Sequence, residues 1–183
     1  MKKLALALAL ILMLGLSACG EDAPKQPSPD AVETTPAETE TVTSNEYYFA
    51  DNVLVSQDVR IEITDWRVIP VGEEGNEYGS APVIAFWYTV TNLSGSENVT
   101  PIGSWIAMFT AVQDNDPNLV NELEVAALPD DAYLDTQMAT VKDGGTVECA
   151  MAYVLDDTTT PVVLTATRGL FGEELGSQTF DIA

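Results

Sequence analysis

Three groups of residues in this chain have the types and spacing to do chemistry. The first is Gln113-Asp114-Asn115-Asp116-Pro117-Asn118, which sets oxygen-bearing side chains at alternate positions. Hard cations need such donors, and Ca²⁺ takes six to eight of them. Asp130 and Asp131, with Asp135 beyond them, offer carboxylates from a second acidic stretch. Asp114, Asp116, Asp130 and Asp131 are therefore the candidate metal ligands. The run lacks the central glycine and the distal glutamate of an EF-hand loop. Short Asp/Asn-rich turns also bond to their own backbone, which is the competing explanation. The second group is the tryptophans, Trp66, Trp87 and Trp105. All fall in strand-like runs where aromatic rings fill cores. Trp87 lies on the weaker face of its run beside Thr89 and Thr91, so it is the candidate for an exposed binding surface. The third is Cys149, which alternates with Val147, Met151 and Tyr153 on an apolar face. That setting describes a small buried hydrophobe and not a nucleophile.

Composition narrows the chemistry further. The 183 residues hold 7 Lys and Arg against 29 Asp and Glu, a net charge of −22, with no histidine. The charge repels phosphate backbones, so nucleic acid is excluded as a partner. Without histidine the chain lacks the commonest general base and the commonest transition-metal ligand. No phosphate-binding glycine loop, zinc pattern or nucleophile elbow is present. These features predict that the protein is not an enzyme and carries no cofactor, Ca²⁺ apart.

The elements that position these residues follow in chain order. Lys2 and Lys3 precede an apolar stretch over 4–16, and Leu16-Ser17-Ala18-Cys19 closes it. This resembles the signal peptide and lipobox of bacterial lipoproteins, with 1–18 removed and Cys19 lipid-modified. Two acyl chains suffice for stable attachment. The expected location is therefore extracellular, on the outer face of the cytoplasmic membrane. Residues 19–46 are rich in Pro, Thr and Glu without apolar periodicity, which predicts a disordered linker. As a flexible coil it spans roughly 28 Å.

A folded domain is expected over 47–183. Val59, Ile61 and Ile63 alternate with polar residues, and the apolar series resumes one residue out of phase at Trp66 and Val68. A bulge near Thr64-Asp65 would restore the inward face. Residues 81–92 form the central strand, with Ile84, Phe86, Tyr88 and Val90 on its stronger face. A further strand is expected over 104–112, then a short helical turn after Asp116-Pro117. The final third reads as strands around Val147–Leu155, Val162–Ala166 and Phe180. Seven to eight short strands with regular turn signals predict an all-β, antiparallel β-sandwich.

Tyr88-Thr89-Val90-Thr91-Asn92, Pro101, Trp105, Gln113-Asp114 and Leu123 appear in that order, followed by Lys142-Asp143-Gly144-Gly145, Ala152-Tyr153 and Thr160-Pro161-Val162. This set resembles Gram-positive surface lipoproteins that carry an immunoglobulin-like domain of unknown function, of the 5067 type. The resemblance implies an immunoglobulin-like sandwich on a cell surface and no catalytic residues. Together these readings favour a lipid-anchored, non-catalytic module that binds an extracellular protein or an envelope polymer. A calcium- or small-solute-binding lipoprotein using loops 113–118 and 130–135 is the alternative.

Overall fold

A computed structural model describes residues 47–183. The expected signal peptide over 1–18, the lipid site at Cys19 and the linker over 19–46 lie outside the described residues. The domain is a sandwich of two antiparallel sheets, eight strands in all, as the strand pattern predicts, and immunoglobulin-like as the family resemblance implies. One sheet has the order β1 (Tyr48–Ala50), β2 (Val53–Val55), β3 (Val59–Ile69), β4 (Val83–Asn92), β6 (Thr146–Val154). The other has the order β5 (Phe109–Gln113), β7 (Val162–Thr167), β8 (Glu174–Phe180).

β4 is an interior strand of the larger sheet, one in from its β6 edge, and pairs along its length with β3 and β6. Its Ile84, Phe86, Tyr88 and Val90 are all buried in the core between the sheets. The register of β3 against β4 shifts between Ile63 and Asp65. That bulge returns Trp66 and Val68 to the core, as the phase change in the sequence predicts. β1 and β2 are joined by Asp51 and Asn52, both with positive φ. Two such residues make the turn whose twist matches a tight hairpin.

Where one strand was expected over 104–112, the chain instead forms a helix and then a strand. Helix α1 (Pro101–Met108) opens on Thr100, whose hydroxyl accepts from the Gly103 N–H at 3.2 Å, with proline in the first turn. Pro101, Ser104 and Trp105 are its buried residues, at i, i+3 and i+4. An apolar run this short fits either period, and the cap in front of it decides for helix. Strand β5 then starts at Phe109. The helical turn expected after Asp116-Pro117 is also absent. Residues 121–123 pair with β5 (Gln113 N–H to Asn121, Leu123 N–H to Ala111), and 124–126 pair with β6 (Val154 N–H to Glu124, Ala126 N–H to Ala152). A single extended segment thus crosses from one sheet to the other and covers an outer edge of each.

The opposite edges meet one another. Asn52 accepts from and donates to Gln178. A side chain on Gly176 would collide with the Phe49 carbonyl, 2.3 Å from its Cβ position. Trp105 anchors the core between them. Its ring lies 4.4 Å from Tyr88, 4.5 Å from Phe109 and 5.5 Å from Phe86. Its indole N–H donates to the Tyr153 hydroxyl at 2.8 Å, with both residues buried.

Candidate binding cleft

Strand parity sets the site. Because Phe86 and Tyr88 turn inward, Trp87 turns outward onto the exterior of the larger sheet. Opposite it on β6 stands Ala150, and on β3 Asp65. The bulge that returns Trp66 to the core also turns Asp65 and Arg67 outward. The Arg67 guanidinium stacks on the Trp87 ring at 4.8 Å. Among the described residues no carboxylate lies within 4.0 Å of it, since the only ion pairs are Arg60–Glu62 and Arg168–Glu173.

The segment after 124–126 then crosses this face. Pro129 is buried, and its carbonyl lies so close to Gly75 that a Cβ there would sit 2.4 Å away. Asp130 caps the 3₁₀ turn Asp131–Tyr133 by accepting from the Ala132 N–H, and its other oxygen accepts from the Trp87 indole at 3.0 Å. Trp87 is therefore half-buried, bridged to the crossing segment and not lying free.

A cleft of about 370 Å³ opens on one side of this bridge, lined chiefly by Asp65, Arg67, Trp87, Asp130, Tyr133 and Glu148. A second, of about 330 Å³, lies on the other side and shares Arg67, Trp87 and Asp130, with Glu74, Glu77 and Leu128 beyond. Burial raises the Tyr133 hydroxyl pKa, and the nearby Glu148 and Asp130 charges raise it further. The site thus combines two aromatic groups, a stacked cation and carboxylates in an open groove. Such a set can hold a ligand by stacking, hydrogen bonds and charge.

The four candidate metal ligands are not gathered. Asp116 accepts from the Asn118 and Leu119 N–H groups, and Asp130 from Ala132 and Trp87, so these carboxylates serve turns and a cap. Asp114 and Asp131 are exposed. Among the described residues no three acidic, cysteine or histidine side chains converge to hold an ion. The 113–118 loop leans on the 156–160 turn. Buried Gln113 donates to the Asp157 and Thr160 carbonyls and accepts from the Asp156 and Asp157 N–H groups. Asn115 donates to Asp156 and Asp157. Backbone N–H groups of Thr160 and Thr159, then Asn115, hold the Asp157 carboxyl well below the usual range.

Cys149 is free and fully buried opposite Tyr88, and burial pushes its thiol pKa up. It is the buried core residue its neighbours predicted. Trp66 and Trp105 are also packed in or against the core. Sequence reading singled out Trp87 but missed Arg67, Tyr133 and Glu148. Arg67 and Glu148 stand at outward positions of strands flanking β4, so β4 parity plus the bulge could have found them. Tyr133 reaches the face only through the crossing segment, for which the sequence carries no signal.

No helix of the described residues is long and apolar enough to cross a membrane. The family model of a domain of unknown function, DUF5067, matches residues 33–168. A solved structure from Staphylococcus aureus subsp. aureus NCTC 8325, that of a "putative lipoprotein", is similar at a TM-score of 0.62. It shares 19% sequence identity, over 74% of this chain and 92% of that one. At that identity the likeness speaks for the fold. No curated protein matches the chain.

Proposed function

The chain belongs to the DUF5067 family, and from that premise we propose that it is a lipid-anchored extracellular lipoprotein whose sandwich is a non-catalytic binding module. Cys19 carries the lipid, after removal of 1–18, and the domain stands on the outer face of the cytoplasmic membrane. The observation that carries the binding reading is the groove around Trp87, where the fold spends a bulge, a crossing segment and a cap on holding one indole at the surface. Its stacked cation and aromatic groups fit a polar partner, a surface protein or an envelope polymer. The non-catalytic reading is supported by the lack of histidine and by the burial of Cys149, which raises its thiol pKa.

Two measurements test this. Cys19→Ser is expected to move the protein from the detergent phase to the aqueous phase and to abolish incorporation of a labelled fatty acid; unchanged partitioning would refute anchoring. The immobilised full chain is expected to retain envelope polymer or a surface protein in proportion to an intact groove. Trp87→Ala should reduce that retention about tenfold or more, the loss of a buried aromatic anchor. Equal retention by both proteins would refute the groove as the recognition surface.

A further inference from the structure

The hairpin between β7 and β8 has an unusual tip. Arg168 and Glu173 close its base, through the Arg168 N–H to the Glu173 carbonyl at 2.9 Å and a side-chain ion pair at 2.7 Å. Between them Gly169-Leu170-Phe171-Gly172 makes a tight turn, the Gly172 N–H donating back to Gly169. Both glycines are required. Gly169 has φ of +70°, and a Cβ on Gly172 would lie 1.9 Å from the Arg168 carbonyl. The two central positions, where turns ordinarily place Asn, Asp, Gly or Pro, hold leucine and phenylalanine. Leu170 is 68% exposed and Phe171 100% exposed. The tip is thus braced at its base and apolar at its apex.

Its place in the fold says what it meets. Strand registers put Tyr48, Val55, Arg60, Thr91 and Thr146 at one end of the larger sheet. The hairpin lies at that same end, because Arg168 stacks on the Tyr47 ring at 4.8 Å. The chain therefore leaves toward Cys19 beside the apolar tip. Tyr47 lies 28 positions after Cys19, a length that reaches at most roughly 95 Å when fully extended. Within that reach the tether keeps the tip at high effective concentration over the surface that holds the lipid. Two apolar side chains can then suffice for a contact that a free domain would not make.

We propose that Leu170 and Phe171 dock into the interfacial region of the bilayer that carries the Cys19 anchor, giving the domain a second membrane contact that fixes its orientation. This rests on the lipid-anchored reading above. The Arg168–Glu173 pair neutralises the nearest carboxylate, which lowers the charge that docking must bring to the surface. Docked in this way, the domain turns its opposite end, with the exposed Tyr78, Leu119 and Val120, away from the membrane.

The test uses the full lipidated chain in phosphatidylcholine vesicles, with Phe171→Cys or Leu170→Cys carrying an environment-sensitive fluorophore. Buried Cys149 does not compete for the label. Tyr78→Cys, equally exposed at the other end, is the reference. Flotation with the vesicles is measured first, and failure to float would overturn the anchored reading and this proposal with it. In floating protein, fluorescence at 170 or 171 is expected to rise several-fold, shift to shorter wavelength and be quenched by nitroxide-labelled lipid, while position 78 is unchanged. If 170 and 171 both behave like 78 in protein that floats, docking is overturned while anchoring stands. A response at the tip that requires added envelope protein would also overturn it, and would assign the tip to a protein partner.

Discussion

Replacing Tyr153 by phenylalanine removes one oxygen atom and leaves the packed ring in place. That oxygen accepts the Trp105 indole N–H at 2.8 Å, with Trp105 fully buried and Tyr153 3% exposed. No water can reach the orphaned donor without opening the core. An unsatisfied buried donor costs about 1–3 kcal/mol. For a folded unit of this size that lowers Tm by roughly 5–10 °C. Thermal and urea denaturation followed by circular dichroism would measure it, and the urea midpoint should fall with an unchanged m-value. Trp87→Phe is the control, because its indole bonds Asp130 at a half-exposed site; it should cost less than about 1 kcal/mol. In a double-mutant cycle, Trp105→Phe and Tyr153→Phe should couple, since removing both partners leaves no orphan. A Tyr153→Phe protein within ~0.3 kcal/mol of wild type, the ordinary error of additivity, would refute the view that this bond holds the aromatic centre together.

Burial raises the Tyr153 hydroxyl to about 12 and pushes Tyr88 higher still, from an ordinary 10.0. Both stay protonated in the fold while the unfolded chain ionises, so their stability contribution is complete below pH 10 and declines as pH rises through 10–12. Each group should cost roughly 1.4 kcal/mol per pH unit once past its unfolded pKa, and Tyr88→Phe should flatten the decline seen in alkaline melts. Asn92→Ala should destabilise by about 2–4 kcal/mol in urea, because its fully buried side chain donates to the Ser96 and Val141 carbonyls and accepts from the Ser94 and Gly95 N–H groups. A neutral effect there would show that the loop resolves its own hydrogen bonds. Millimolar Ca²⁺ should leave Tm unchanged, since Asp116 Oδ1 and both Asp130 oxygens already serve backbone groups and an indole, and no three carboxylates converge among the described residues. A rise of several degrees would instead reinstate the acidic loops as a cation site.

Much of the sandwich was legible because strand period is written in side chains. Alternation along β3, the phase break at Thr64-Asp65 and the two faces of β4 all translate directly into the observed register. The helix α1 was not legible, because 104–112 is apolar at both periods and the deciding feature is the Thr100–Pro101 cap just upstream. The 121–126 segment was missed for a different reason. Its order comes from bonds to strand edges brought alongside by tertiary folding, and its side chains show no period of their own. The groove was half visible: Trp87 stood out by its face, while its partners reach it through the bulge and the crossing segment. Most residues that carry the family resemblance do structural work. Tyr88, Trp105 and Tyr153 form the aromatic centre, and Asn92 and Gln113 fasten loops.

The Asn52–Gln178 clasp joins positions 126 residues apart, and Phe180 seals the core by stacking edge-on against Phe86 and Trp66. No early portion of the domain can complete its interior alone, so closing the core waits for chain made late in synthesis. In the lipoprotein reading proposed above, where the chain crosses a membrane before it folds, that delay keeps the emerging strands loose until translocation is nearly done.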